Sequence, residues 1–460
     1  MSQSINCSDI AGSKIQRAFA VLEAVKGRFA YPTSDHVIAI SNDATANQTP
    51  EYTDSEEKLG TRDTLQRFRN AMPAATADIA MYLSTGATGE KPQGYDMLVS
   101  LFGTSTLLNP PVFTLGAADA DAVTIPVAVT GGSPALPACG VITANGEQIY
   151  YDSLSADGTQ LLNCKRGYNG TTPYAIVADT AGAYTSVAFR QDNCNPSFSL
   201  WLQTDHFLQG ITGCTVNDAT LSLSNESAVS LECSIQGLRL VVAGTSKTTA
   251  LVSAGETVIP VEHSMMYSPG AVIWCPSVGD QGAAESGYIV ASVDDKAGTI
   301  TLAAPIEEDW PSGATVSGWL PQDAPHIGEP IEGTNTDVYM DGVRGKMRTS
   351  SLTWNNNITV ITDELGTEYP EEYVGDARTI EVGINTYFRK EDGIRFREGL
   401  EGRFVPVRFA FGHGKAVWDM PRVQMTSPAV SIQSPTVSLD STGTALITGK
   451  GNNAAELIIN

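Results

Sequence analysis

The sequence predicts a mainly β protein: two β-sandwich or barrel domains, each with one short helix, and two small inserted β-barrel modules. Three observations lead there. Charged residues are only 17% of the 460, and Thr, Ser, Gly, Ala and Asn stand where Lys and Glu are usual, a composition that favours strands and turns. Short β-branched runs alternate apolar with polar residues and break at Asp, Gly or Pro. The chain also repeats itself at two levels.

Along the chain, 13–26 carries Ile15, Phe19, Leu22 and Val25 at roughly helical spacing. The run from Thr76 alternates, with Ile79, Met81 and Leu83 on one face. Tyr95 to Phe102 reads as a helix ended by Gly103. A first small module spans 112–190, with hairpin turns expected at Gly158-Thr159. Phe198-Ser-Leu-Trp-Leu and Ala228-Val-Ser-Leu-Glu follow as strands of period two, with Val229, Leu231, Cys233 and Ile235 inward. A second module, at 246–321, repeats the first in order, with its own Gly298-Thr299 turn. Beyond it, Thr379 opens a strand with Ile380, Val382, Ile384 and Phe388 on one face, and 393–402 is the second helix. Val405-Pro-Val-Arg-Phe-Ala-Phe and Thr436-Val-Ser-Leu-Asp close the chain as the first half closes, Val437 and Leu439 pointing in. The expected domains are therefore 1–111 with 191–245, the modules 112–190 and 246–321, and 322–460.

Length alone suggests two to four domains. Lys+Arg is 28 against Asp+Glu 51, a net charge of −23, so general affinity for nucleic acid is not expected. No apolar run is long enough to span a bilayer, and the first residues lack the blocks of a secretion signal. Cys7, Cys139, Cys164, Cys194, Cys214, Cys233 and Cys275 are odd in number and never form C-x-x-C, which reads as free, mostly buried thiols in a reducing cytoplasm. His36, His206, His263, His326 and His413 are isolated. No H-E-x-x-H, G-x-S-x-G or P-loop occurs, and the pairs Glu56-Glu57, Glu307-Glu308 and Glu371-Glu372 read as solvated turns. Neither an enzyme nor a cofactor is expected.

Three segments carry a resemblance. Ala20-Val-Leu-Glu-Ala-Val-Lys-Gly leads into Ala30-Tyr-Pro-Thr-Ser-Asp-His-Val-Ile-Ala-Ile. Thr353-Trp-Asn-Asn-Asn-Ile-Thr-Val-Ile-Thr-Asp-Glu-Leu-Gly is a strand, an Asn-rich turn and an acidic loop. Gly375-Asp-Ala-Arg-Thr-Ile-Glu-Val-Gly-Ile-Asn-Thr-Tyr-Phe completes the pattern. This order resembles the major tail tube proteins of long-tailed, non-contractile bacteriophages (siphophages), over about two-thirds of the chain, with the modules outside it. In the first half, 51–69 takes the place of the acidic loop, with Arg62 or Arg67 as the loose counterpart of Arg378.

The resemblance implies a structural subunit carrying the tube fold twice, so that a homotrimer makes a pseudo-sixfold ring. Stacked rings would enclose a tape measure protein, end on tail terminator and distal tail proteins, and pass DNA as cargo. The implied location is the virion tail, after synthesis in the host cytoplasm. Strands joined between neighbours would leave no lateral sheet edge. Alternation places Glu232, Glu381, Asp440 and Asp78 opposite the apolar faces, where they would line the lumen and repel phosphate, or else meet the outer wall or a subunit interface. The loops 42–61 and 363–375, with Glu51, Asp54, Glu56, Glu57, Asp363, Glu364, Glu368 and Glu371, are expected to reach the next ring and order on stacking. The rival readings are a phage fibre or adhesin whose Trp274, Trp310 and Trp319 stack on host glycans, and a secreted glycosidase.

Overall fold

The computed structural model describes residues 16–459 apart from 58–62, 85–90, 109–111, 132–135, 137–139, 152, 169–171, 183–185, 206, 322–329, 346, 390–392, 413, 434–435 and 449–453. Cys7, Cys139, Arg62, Ile15, His206, His326 and His413 lie outside the described residues. Strands hold 54% of the chain and helices 6%, so the fold is mainly β.

The first half begins with β1 (Gln16–Leu22), a strand despite the roughly helical spacing of its apolar residues. It is an inner strand with both faces covered. Ala18 and Ala20 enter the main core while Phe19 joins the core of the second module, so no period of two is visible. Glu23 fixes the exit of β1, its carboxylate accepting hydrogen bonds from the hydroxyls of Ser197, Ser199 and Thr212 and from the Gly213 N–H. Next come β2 (Thr45–Asn47), β3 (Ala75–Tyr82) and α1 (Tyr95–Phe102). Gly103 ends α1 at φ +109°, where its N–H donates to the Val99 carbonyl. β4 (Phe198–Thr204), β5 (Phe207–Ser224) and β6 (Ser230–Gly237) complete the half. Their antiparallel order is β1-β4-β5-β6-β3-β2.

The second half contains β7 (Asp337–Met340), β8 (Met347–Asn355), β9 (Thr379–Tyr387), α2 (Gly393–Glu401), β10 (Phe404–Phe411), β11 (Ala416–Met425), β12 (Ala429–Gln433) and β13 (Thr436–Ala445). Their order is β7-β10-β11-β13-β9-β8, with β12 continuing β11 along β13. The first half's order recurs strand for strand, and both β4–β5 and β10–β11 carry a bulge at the same place, Phe198/Leu200 and Val405/Val407. The pairing aligns Tyr82 with Tyr387, each opposite a serine (Ser230 and Ser438), and so sets Thr76 against Glu381. Phe388 falls beyond β9 and is exposed, and Ser438, between Tyr387 and Ser431 of the flanking strands, is buried while Val437 is half-buried.

The two modules also share one pairing plan. In the first, Val112–Leu115 pairs with Thr124–Gly131 and Thr180–Gly182, and Gln160–Leu162 pairs with Thr124–Gly131 and Ser153–Leu154. In the second, Ser246–Lys247 pairs with Thr315–Gly318, and Thr299–Leu302 pairs with Val258–Pro260 and Tyr288–Asp294. Gly158 and Gly298 take the hairpin positions at φ +70° and +66°. Among the described residues no sheet closes into a barrel. The first module folds as a three-stranded sheet facing a five-stranded one, and in the second only a single bridge, Thr248 to Val261, joins the two end strands. Trp310 and Trp319 lie in the second module's core, which also takes in Phe19, Trp201, Leu208, Val241 and Ala243 of the first half. That module is thus built onto the β1–β4 sheet.

Candidate functional site

Among the described strands the halves join at two places: Glu456–Ile459 pairs with both Ser186–Gln191 and β11, and the C-terminal part of β5 pairs with β8, Asp218 opposite Asn355 through Ser224 opposite Thr349. One antiparallel sheet therefore runs β2-β3-β6-β5-β8-β9-β13-β12 through both halves. Its inner face supplies Ile79, Met81, Leu221, Leu231, Leu352, Trp354, Ile380 and Val382 to a single core. Its outer face is polar. Ala80, Glu232, Thr220, Thr353, Glu381 and Thr444 stand side by side across six strands. In the next row are Asp78, Ser234, Asp218, Asn355 and Thr379.

All four acids singled out in the sequence, Asp78, Glu232, Glu381 and Asp440, are on this outer face. The structure adds a fifth, Asp218. Sequence reasoning passed over it because a bulge between Val216 and Asp218 shifts the alternation; the run Ala219, Leu221, Leu223 buried against Thr220, Ser222, Ser224 was the available signal. None of the outward positions in β3, β5, β6, β9 or 440–444 is Lys or Arg, and β8 brings one cation to this face, Arg348, exposed at the bulge between Met347 and Thr349. Arg348 stacks on the Tyr387 ring at one rim, 5.0 Å from its centroid. Asn385 donates to the Asp440 carboxylate. Glu232 and Glu381 are three strand spacings apart, about 14 Å, beyond a Debye length of about 8 Å in physiological salt. That is wider than the roughly 5–10 Å between the carboxyls of a glycosidase pair. Glu232 and Glu381 spread negative potential over a Ser/Thr-rich surface.

The junction is fastened by Asn356, which is buried. Its Nδ2 donates to the carbonyls of Leu101 (3.0 Å) and Val216 (2.9 Å) in the first half. Its Oδ1 accepts from Trp354 Nε1 (2.9 Å) and Arg378 Nε (2.8 Å). Arg378 lies over the Trp354 ring at 5.4 Å and also donates to the Asp192 carbonyl; burial lowers its pKa, opposed by Asp192. Tyr373 donates its hydroxyl to the Asn195 carbonyl at 3.0 Å. Phe102 of α1 packs on Trp354 (4.5 Å between centroids) and on Trp418 (5.5 Å). The Gly-x-x-Arg sequence thus ties the halves together. Its loose counterpart Arg67 pairs instead with Asp54 in an exposed hairpin.

The expected long loops are hairpins within one chain. Tyr52–Asp54 pairs with Arg67–Arg69, and Ile358–Ile361 with Glu372–Gly375. Among the described residues the Arg67–Asp54 pair spans the first hairpin, the Arg69–Glu368 pair links it to the second, and Tyr373 ties the second to the first half. Glu51, Asp54, Glu56, Glu57, Asp363, Glu364, Glu368 and Glu371 are all exposed there. Of the described thiols, Cys164, Cys214, Cys233 and Cys275 are buried and Cys194 is exposed.

Among the described residues no group of three or more His, Cys, Asp or Glu has a geometry that could hold a metal ion, and no helix is long and apolar enough to cross a membrane. Compared with protein-family models and with curated proteins, the chain matches none.

Proposed function

We propose that the chain is a structural, non-enzymatic subunit of a phage tail tube, with three copies forming a pseudo-sixfold ring and rings stacking into a hollow conduit. The observation that carries this reading is the continuous sheet through two halves of equal strand order, whose outer face bears five carboxylates against one cation, Arg348, held on the Tyr387 ring at one rim. A lumen must let DNA slide without holding it. Double-stranded DNA carries a negative charge about every 1.7 Å, so a wall of hydroxyls and spaced carboxylates with a lone cation at its rim repels it and offers little counter-charge to be gripped. A sheet that joins one half to the next by a strand pair can go on joining, and a head-to-tail contact of this kind closes when the rotation permits. The exposed acidic hairpins reach away from the core and suit contacts between rings. Tape measure, terminator and distal tail proteins would then be its partners, with DNA as cargo and the virion tail as its place. The glycan-binding fibre is less well supported, since Trp310 and Trp319 are enclosed in a core and Trp274 is half-buried against it.

Sedimentation velocity at rising concentration tests the reading. A discrete species of three chains, followed by long polymers, is expected; a compact species that never exceeds one chain, with hydrolysis of or binding to polysaccharides, would overturn it.

A further inference from the structure

Two edges of the long sheet stand open, one at each end. Among the described pairings β2 meets only β3, and β12 meets only β13. These edges are the counterparts of the two strands that already pair inside the chain. β12 corresponds to the C-terminal part of β5, because Thr220 and Ala429 stand opposite Glu232 and Asp440 in matching strands. β2 corresponds to β8, because both lie on the outer side of β3 and β9.

The internal junction fixes a register for a second copy. With Tyr82 matched to Tyr387, Asp78 matches Gly383, so Thr45 (opposite Asp78) matches Ser351 (opposite Gly383). Ser351 pairs with Ser222, whose counterpart is Ser431. Burial agrees with a missing partner. Leu221 and Leu223 are 1% and 4% exposed beneath the junction, whereas Val430 and Ile432 at the same positions are 49% and 80% exposed. In the transferred register Ala46 and Ala44 come beside them.

The β2 edge is not bare. Gln16 Oε1 accepts from the Ala44 N–H (2.9 Å) and Gln16 Nε2 donates to the Ala44 carbonyl (2.5 Å). Gln209 Nε2 donates to the Ala46 carbonyl (3.0 Å). Two side chains thus occupy backbone groups that an added strand needs, a protection typical of exposed edges. The seam also lacks a copy of the Asn356 lock: Gln48, close after β2, turns back to Pro73, Leu238 and Leu240 of its own half.

We propose that β12 of one copy adds to β2 of a second copy, Ser431 opposite Thr45 and Ala429 opposite Asn47, once Gln16 and Gln209 release the β2 edge. The proposal rests on the ring reading and gives it a residue-level seam and a gate. Its consequence is that the joints between chains form later and open more readily than those within chains.

The test uses the full chain with Cys194→Ser, carrying either Thr45→Cys with Ser431→Cys or the slipped pair Thr45→Cys with Ala429→Cys, under mild oxidation. The first pair is expected to give covalent three-chain rings and the second none. Separately, Gln16→Ala with Gln209→Ala should speed polymerisation about tenfold, as three competing hydrogen bonds of modest net strength are lost, and Gln16→Glu alone, which loses only one of them, should do so less. Linking by the slipped pair would overturn the register. Rings visible in micrographs with neither pair linked would overturn the seam and leave the tube reading standing. Chains that stay single at every concentration, with neither pair linked, would overturn both. Unchanged polymerisation in the glutamine variants, at unchanged melting temperature, would overturn the gate.

Discussion

Replacing Asn356 by Ala should cost the fold about 4 kcal/mol, taking roughly 1 kcal/mol for each of four buried partners left unpaired. Those partners are the Leu101 and Val216 carbonyls, Trp354 Nε1 and Arg378 Nε, and Trp354 is itself fully enclosed, so water cannot readily replace the amide. The cost falls on the contact between halves and not on either half's own sheet. Urea unfolding followed by tryptophan fluorescence reads it, because Trp354 and Trp418 pack against Phe102 at the junction. Asn356→Asp should also destabilise, since it keeps an acceptor for Arg378 but loses both donors to first-half carbonyls. A double-mutant cycle with Arg378→Met should give a coupling of about 1 kcal/mol or more. An Asn356→Ala protein within 1 kcal/mol of the parent would refute the idea that this side chain fastens the halves.

Other outcomes follow from the same structure. Reversing Glu232, Glu381 and Asp440 to Lys should make assembled tubes retain double-stranded DNA in a salt-dependent manner in a filter-binding assay, and unchanged indifference to DNA would count against the lumen assignment. Glu147 and Asp280 are pushed up by burial. Hydrogen bonds outweigh this and hold both below their ordinary values, from Arg166, Gly167 and Tyr174 to Glu147, and from Tyr288, Trp310, Gly282 and Glu308 to Asp280. A folded pKa below the unfolded one gives stability that is whole above the ordinary carboxylate range of about 4 and lost as pH falls through the folded value. Melting temperature should therefore drop on the acid side of about pH 4, with part of that slope absent in Asp280→Asn. Alkylation at pH 8 should label Cys194 and spare Cys164, Cys214, Cys233 and Cys275, because burial raises those four thiols, Cys164 and Cys233 to about 12; mass spectrometry of the peptides decides.

The strands with one wet face were legible. Ala75–Tyr82 and Ser230–Gly237 bury every second residue, and Glu232 and Asp440 fell where alternation put them. The helix Tyr95–Phe102 was legible through its glycine stop. What the sequence concealed was two-sided burial. β1 has one face in each of two cores, so its apolar residues follow no period of two and mimic a helical spacing. The hairpins at 52–69 and 358–375 were concealed too, since Tyr52–Asp54 is wholly exposed and its pairing rests on cross-strand contacts such as Asp54–Arg67 rather than on an apolar face. At the candidate site the acids were visible but not their company: that two halves contribute to one sheet depends on the β5–β8 pairing, which joins residues about 130 positions apart. The glutamine caps on β2 belong to the same class of contact, read only from the folded chain.

The central claim is tested most directly by electron microscopy of the assembled chain viewed end-on. Hollow rings with threefold symmetry and six inner lobes around an open bore are the predicted result. Solid, elongated trimers without a bore would contradict the tube, and true sixfold rings of six chains would contradict the pairing of two tube domains in each subunit.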